Sequence, residues 1–136
     1  MAERRMASRQ IVCTDTFREL STAAQALYFQ LLMEADDDGF VASPNGVVGS
    51  SPRYSAKAMN ELVASRYVLR FKSRVVCIKH WLIMNKVKKD RYRPTACIKE
   101  RESLVVKPNM AYTEKEKAEP KRNQSGTNLE PIWLRR

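Results

Sequence analysis

The sequence feature that most limits the fold is an apolar stripe with helical spacing in the first third of the chain. Its members fall at positions i, i+3, i+4, i+7, i+8 and i+11, and they are Ala24, Leu27, Tyr28, Leu31, Leu32 and Ala35. This spacing puts these side chains on one side of an α-helix, and that side must face a core. Ser21 is placed to cap the helix, and Gly39 ends it because glycine accepts a left-handed backbone. We therefore predict a core helix over residues 21 to about 36.

The residues after this helix predict a short strand, a weak helix and a firmer helix. Phe40 and Val41 begin the strand. The segment 43–55 is rich in Gly, Pro and Ser, so it allows only one or two helical turns, starting at Pro44. Ser55 then caps a helix that runs to about residue 66. The apolar side of that helix carries Ala58, Met59, Leu62 and Val63.

The second half of the chain predicts a basic hairpin, a basic loop, one more helix and a tail. Residues 67–71 and 75–81 are rich in β-forming types and are joined by Lys72, Ser73 and Arg74. A basic segment, 86–94, precedes a helix predicted over 95–105 and capped by Thr95. From residue 107 the composition is polar, so we expect a mobile tail that ends in Ile132, Trp133 and Leu134. The predicted domains are 1–105 and the tail 106–136.

The positive charge of the chain is concentrated in its middle third. Residues 53–98 carry 12 basic and 2 acidic side chains, whereas the whole chain has a net charge of +10. Residues 1–52 have a net charge of −3, and residues 99–136 have +3. Such a contiguous basic stretch is typical of nucleic-acid binding, although an acidic protein or an anionic lipid would satisfy the same charge. The sequence has no long basic amphipathic helix, which argues against lipid.

The order of these elements is that of a winged helix-turn-helix, an α+β fold, with a basic β-hairpin wing and an additional C-terminal helix and tail. In this fold the second helix of the turn enters the DNA major groove, and the wing contacts a phosphate strand. Double-stranded DNA is therefore the expected partner. The expected DNA-binding residues are Arg53, Lys57, Asn60, Arg66, Arg70, Lys72, Arg74, Lys86, Lys88, Lys89, Arg91, Tyr92 and Arg93.

Three of the side chains in this region allow more than one interpretation. Asn60 would face base edges together with Lys57 and pair with adenine through both its oxygen and its nitrogen, or it would be an ordinary solvated surface residue. Glu61 would contact cytosine or pair with Lys57 at i, i+4, and the spacing favours the pair. Tyr92 would stack on a base, or pack against Trp81 or Met84.

Two blocks of the sequence resemble the N-terminal domain of phage replisome organisers, which are replication initiators related to DnaD-type primosome proteins. The first block comprises residues 8–11, Phe17, residues 24–32 and residues 35–41, and the second comprises residues 75–81, Asn85 and residues 88–95. The resemblance covers about residues 4–105. It implies a winged-helix domain that binds origin DNA in phage or prophage replication. The chain differs from the family at 44–55, where Gly46, Gly49 and Pro52 replace a more apolar helix.

Two other functions stay open at this point. A transcriptional regulator would have the same fold and the same basic surface. A phage-encoded inhibitor of a host nucleic-acid enzyme would use the basic face to block a nucleic-acid contact. In that case, or if the tail engages a replication protein, the partner-binding residues are Ile132, Trp133 and Leu134. Assembly into a homo-oligomer is left open as well.

The sequence also argues against several other classes. It has no apolar run long enough to cross a membrane and no secretion signal, so we expect a cytoplasmic protein. The cysteines Cys13, Cys77 and Cys97 are odd in number and are expected to be reduced, with Cys77 in the core. Residues 36–38 are interpreted as a helix-ending turn rather than a Mg²⁺ site. We expect no enzyme activity, no metal and no cofactor.

Overall fold

Helices and short antiparallel strands alternate along the chain, and together they form a mixed α+β fold. The computed structural model describes residues 4–49, 55–86 and 88–115. Its elements are α1 Arg9–Val12, α2 Asp15–Arg18, α3 Thr22–Glu34, β1 Phe40–Val41, α4 Pro44–Val48, α5 Ala56–Ala64, β2 Val68–Arg70, β3 Val76–Ile78, α6 Trp81–Met84, α7 Ile98–Glu102, β4 Leu104–Val106 and β5 Tyr112–Glu114. Within the described ranges, no helix is long and apolar enough to cross a membrane.

Helix α3 lies at the centre of the core. The Ser21 hydroxyl accepts a hydrogen bond from the Ala24 N–H, so the predicted cap is confirmed. The predicted apolar stripe, residues 24–35, is buried at each of its six positions. Helices α4 and α5 pack against α3, and the Ser55 hydroxyl caps α5 through the Ala58 N–H, as predicted. The short α4 has no side-chain cap at Ser43.

The predicted hairpin is confirmed and belongs to a three-stranded antiparallel sheet. The strand order is β1-β3-β2, with Phe40 and Leu69 paired on either side of Cys77. Cys77 is fully buried, as expected, and the thiols of Cys13, Cys77 and Cys97 are free. Residues 72–74 form the tip of the hairpin, where Arg74 adopts a positive φ of 76°. Residues 72–74 are exposed, whereas the strands on either side of them contribute to the core.

The predicted turn after α3 is confirmed, and it is formed by residues 36–39. Helix α3 itself ends earlier than predicted, at Glu34, because Ala35 adopts an extended backbone, so Gly39 belongs to the turn and does not end the helix. Gly39 has a φ of +91°, and a Cβ atom at this position would lie 2.5 Å from Cγ of Trp81. The indole of Trp81 is fully buried and donates a hydrogen bond from Nε1 to the Asp37 carbonyl at 2.9 Å. The glycine is therefore required both for its backbone conformation and for the space that Trp81 occupies.

The C-terminal part of the described chain differs from the prediction. The helix expected over 95–105 is reduced to α7, and its N-cap position is Cys97 rather than Thr95. Thr95 instead donates to Asp36 and accepts from the Cys97 N–H. Residues 106–115, which the sequence analysis assigned to the tail, belong to the β4–β5 hairpin or pack beside it. The reason is Tyr112, which is fully buried and donates its hydroxyl hydrogen bond to the Asp38 carbonyl at 2.8 Å.

Candidate nucleic-acid interface

The first cationic region is a groove between α4, the start of α5 and the β2–β3 hairpin, which we call the hairpin groove. Its volume is about 360 Å³. The residues that line it are Pro44, Asn45, Val48, Ala56, Met59, Arg70, Phe71, Arg74 and Val76. Most of these side chains are apolar, whereas the two arginines come from the hairpin. The groove thus combines an apolar floor with positive charge on one side.

Asn60 and Arg70 are linked across the edge of the hairpin groove. Asn60 is exposed on α5, and its Oδ1 accepts a hydrogen bond of 2.9 Å from Nη1 of Arg70. Lys57 is exposed one turn earlier on the same helix. Because Arg70 uses the amide oxygen, Asn60 presents mainly its NH₂ donors to the outside. The two-point pairing with adenine that the sequence suggested would need Arg70 to release that oxygen.

Arg66 and Glu61, two charged residues near the end of α5, have partners that the sequence did not indicate. Arg66 follows α5 with a φ of +65° and forms a salt bridge of 3.0 Å with Glu114 on β5. The Glu61 carboxylate accepts hydrogen bonds of 2.7 Å from both the N–H and the hydroxyl of Ser21, and these bonds lower the pKa of Glu61. The positive charge of Lys57 also lowers the pKa of Glu61, although the two side chains form no salt bridge among the described residues. Glu61 joins α5 to the start of α3.

The hairpin tip is exposed but tethered. Lys72 and Arg74 are both exposed there, as a wing that contacts phosphates would require. The hydroxyl of Ser73 between them donates a hydrogen bond of 2.6 Å to the Glu100 carboxylate on α7. This bond fixes the tip relative to α7. It also places one negative charge close to the two cations of the tip.

The second cationic region is a cleft between residues 4–6 and the loop that follows α6, which we call the N-terminal cleft. Its volume is about 860 Å³. Six of its side chains are cationic and two are acidic. Its lining residues are Arg4, Arg5, Met6, Asp37, Asn85, Lys86, Lys88, Asp90, Arg91, Tyr92 and Arg93. The positive charge is largely exposed, because Arg4, Lys86, Lys88, Arg91 and Arg93 are all solvent-accessible.

One wall of the N-terminal cleft is built from residues 4–6. The Asn85 side chain accepts from the Met6 N–H at 2.8 Å and donates to the Met6 carbonyl at 3.0 Å. Arg5 forms a salt bridge of 3.2 Å with Asp37, and its guanidinium lies over the Trp81 ring, 5.1 Å from the ring centre. These contacts hold an otherwise irregular segment in one place against the core.

The opposite wall of the cleft, residues 92–95, is held by hydrogen bonds to the turn of residues 36–38. The Tyr92 hydroxyl donates to the Asp38 carboxylate, whose oxygens lie 2.8 and 2.7 Å away. The Arg93 N–H donates to Asp37 at 3.0 Å, and the Thr95 N–H donates to Asp38 at 2.9 Å. Burial, together with the hydrogen bond to Asp38, raises the pKa of Tyr92 to about 12. The Tyr92 hydroxyl is thus bonded to the aspartate turn, a partner that the sequence did not indicate.

The predicted DNA-binding residues are consequently divided between two regions. Arg70 and Arg74 line the hairpin groove, whereas Lys86, Lys88, Arg91, Tyr92 and Arg93 line the N-terminal cleft, and no described residue lines both. Lys89 is exposed in the loop of the cleft without lining it. Arg53 and the predicted partner-binding residues Ile132, Trp133 and Leu134 lie outside the described residues.

Arg4 and Arg5 contribute two of the cations of the N-terminal cleft and were not among the residues predicted from the sequence. Both lie in the first 52 residues, whose net charge is negative, so a count by segments hid them. The available signal was the adjacent pair of arginines near the start of the chain. The roles of Asp37 and Asp38 as supports for the cleft were missed as well, since their partners are distant in sequence.

Among the residues that the structure describes, no group of three or more His, Cys, Asp or Glu is placed to hold a metal ion. Comparison of the chain with known protein families, with curated proteins and with solved structures found no match. The function must therefore be inferred from the residues and their arrangement.

Proposed function

We propose that the protein binds double-stranded DNA through a winged helix and acts in the initiation of phage or prophage DNA replication. The observation that carries this proposal is the hairpin groove, where the start of α5 and two arginines of the β2–β3 hairpin lie side by side. In a winged helix, the helix enters a DNA groove and the cationic hairpin that follows it contacts the neighbouring phosphates.

The order of elements supports the winged-helix interpretation. Helix α3, strand β1, helices α4 and α5, and the β2–β3 hairpin follow one another as this fold requires, and β1 pairs with β3 at the sheet edge. Helix α5 spans nine residues, about 14 Å of axis, and a B-DNA major groove about 12 Å wide admits one helix. The exposed side of α5 carries Lys57 and Asn60.

The proposed place in replication is supported by the resemblance of the two sequence blocks to phage replisome organisers. Both blocks fall within the folded part of the chain. Footprinting on the phage genome separates this role from transcriptional regulation. A protected site within the replication genes supports an initiator, and protection confined to promoters would identify a regulator instead.

DNA binding itself is tested by the anisotropy of a labelled duplex at several salt concentrations. If about five phosphates are contacted, the logarithm of the association constant should fall with the logarithm of salt with a slope of about −4 to −5. Arg74→Glu should weaken binding to duplexes of any sequence. Arg18→Glu is the matched control, because Arg18 is exposed on α2 and lines neither cleft. A slope near zero, or equal effects of the two reversals, would remove the proposal.

A further inference from the structure

We propose that the N-terminal cleft is a second nucleic-acid site, which takes an unpaired DNA strand and stacks one base on Tyr92. The inference draws on the proposed function only for the choice of DNA as the polymer. The cleft itself is defined by residues 4–6 and by the loop after α6, and it shares no described lining residue with the hairpin groove.

The charge of the cleft suits a phosphate backbone. The cleft has two acidic side chains, Asp37 and Asp90. Asp37 is already bound by the Arg5 guanidinium and by the Arg93 N–H. The exposed cations Lys86, Lys88 and Arg91 form no salt bridge with any described residue. A groove of this composition attracts a polyanion without regard to its sequence.

Arg5 supplies a donor that is already oriented and buried. Its side chain is 2% exposed, and its Nη2 donates to Asp37 and to the Ala35 carbonyl. Its Nε has no hydrogen-bond partner among the described residues, although it is buried. Leaving a buried N–H without an acceptor is unfavourable. An oxygen of a ligand held in the cleft that Arg5 lines would provide the acceptor.

The exposed ring of Tyr92 is the reason that we expect an unpaired strand. Its ring lines the cleft and is 41% exposed, and its hydroxyl is fixed by Asp38, so the ring is held in one orientation. An aromatic ring stacks on a base only if that base offers a free face, which bases within a duplex do not. A cleft of about 860 Å³ is within the usual range for pockets that hold a small ligand, which includes a nucleotide.

The test uses the full chain with two labelled probes, an oligo(dT) of about 12 nucleotides and a duplex of similar length. Tyr92→Ala should weaken oligo(dT) binding about 5- to 150-fold, which is the usual effect of losing one stacked base, and should change duplex binding by less than about twofold. Tyr92→Phe, which keeps the ring and loses the bond to Asp38, should lose much less. Tyr92→Trp should bind, and its added indole fluorescence should be quenched by oligo(dT).

Thermal melting checks that each variant is folded. If folded Tyr92→Ala binds oligo(dT) as tightly as the wild type, or if Tyr92→Trp shows no quenching, the inference is wrong. Arg74→Glu should impair duplex binding and spare oligo(dT) binding, which supports two separate sites. If oligo(dT) binds through Tyr92 while duplex binding is independent of salt, the proposed function fails and the cleft stands. If the protein binds the duplex but not oligo(dT), the inference about the cleft is wrong and the proposed function is supported.

Discussion

Among the glycines that the structure describes, Gly39 is the one whose replacement by alanine should destabilise the protein most. Gly39 has a φ of +91°, a conformation that an L-residue adopts at a cost of about 1–2 kcal/mol. The added Cβ would lie 2.5 Å from Cγ and 2.6 Å from Cβ of Trp81, which is fully buried. Since these atoms are near the backbone, a rotamer change of the indole cannot remove the clash.

The two effects give the expected magnitude. Overpacking a filled core costs about 1–3 kcal/mol, so the sum with the backbone term is about 2–5 kcal/mol. For a domain of this size, each kcal/mol lowers the melting temperature by about 3–5 °C, which predicts a fall of about 6–25 °C. The measurement is thermal unfolding followed by circular dichroism.

Gly46→Ala is the matched control within the same chain. Gly46 lies in α4, does not have a positive φ, and has no atom within 4 Å of the position of a new Cβ. Alanine there should stabilise the protein by about 0.4–1 kcal/mol, because it restricts the unfolded chain. If Gly39→Ala and Gly46→Ala melt at the same temperature, the reasoning about the turn and Trp81 is refuted.

Three other predictions concern buried or paired groups. Burial, with help from Lys79 and Lys107, lowers the pKa of His80 to about 4, so stability should be lost as pH falls from about 6.5 towards 4. After discounting for solvent, the loss is about 1–2 kcal/mol and should be absent in His80→Gln. Tyr28→Phe should melt at or above the wild-type temperature, because the buried Tyr28 hydroxyl has no partner among the described residues. Asn60→Asp should weaken duplex binding about tenfold by replacing NH₂ donors with a negative charge, without lowering the melting temperature.

Each of these has a result that would contradict it. For His80, urea unfolding with the same dependence on pH in the wild type and in His80→Gln would show that other groups titrate. For Tyr28, the comparison is Tyr112→Phe, which should lose about 1–2 kcal/mol with its bond to Asp38; equal losses in both variants would contradict the burial argument. For Asn60, unchanged anisotropy with the duplex would place α5 away from DNA.

The elements that the sequence predicts well are those whose signals are local. The apolar stripe of α3 and the caps at Ser21 and Ser55 lie within a few residues of the structure they form, and all are confirmed. The β2–β3 hairpin was equally accessible, because its two strands are close neighbours along the chain. Strand β5 was not, since Tyr112 and Thr113 are buried through pairing with β4 and through the Tyr112 bond to Asp38.

Only half of the candidate site could be predicted from the sequence, because the other half depends on contacts between residues that are distant along the chain. Counting charges along the chain locates the cations of the loop after α6, but it does not show that Arg4 and Arg5 join them. Residues 36–38 look like a simple turn in the sequence. Their carboxylates bind groups about 30 residues before them and more than 50 residues after them, and such pairs depend on how the whole chain packs. No spacing rule within the sequence encodes those partners.

The β4–β5 hairpin has a consequence for dissecting the C-terminal region by deletion. A fragment that stops at residue 105 would lose Tyr112, and with it the ring that lies 6.0 Å from that of Phe40. It would also lose the bond from the Tyr112 N–H to the Lys79 carbonyl. Such a fragment would be damaged in the core, so its failure to bind DNA would report misfolding rather than a missing contact. Deletions meant to isolate the role of the last 21 residues should retain the chain through Lys115.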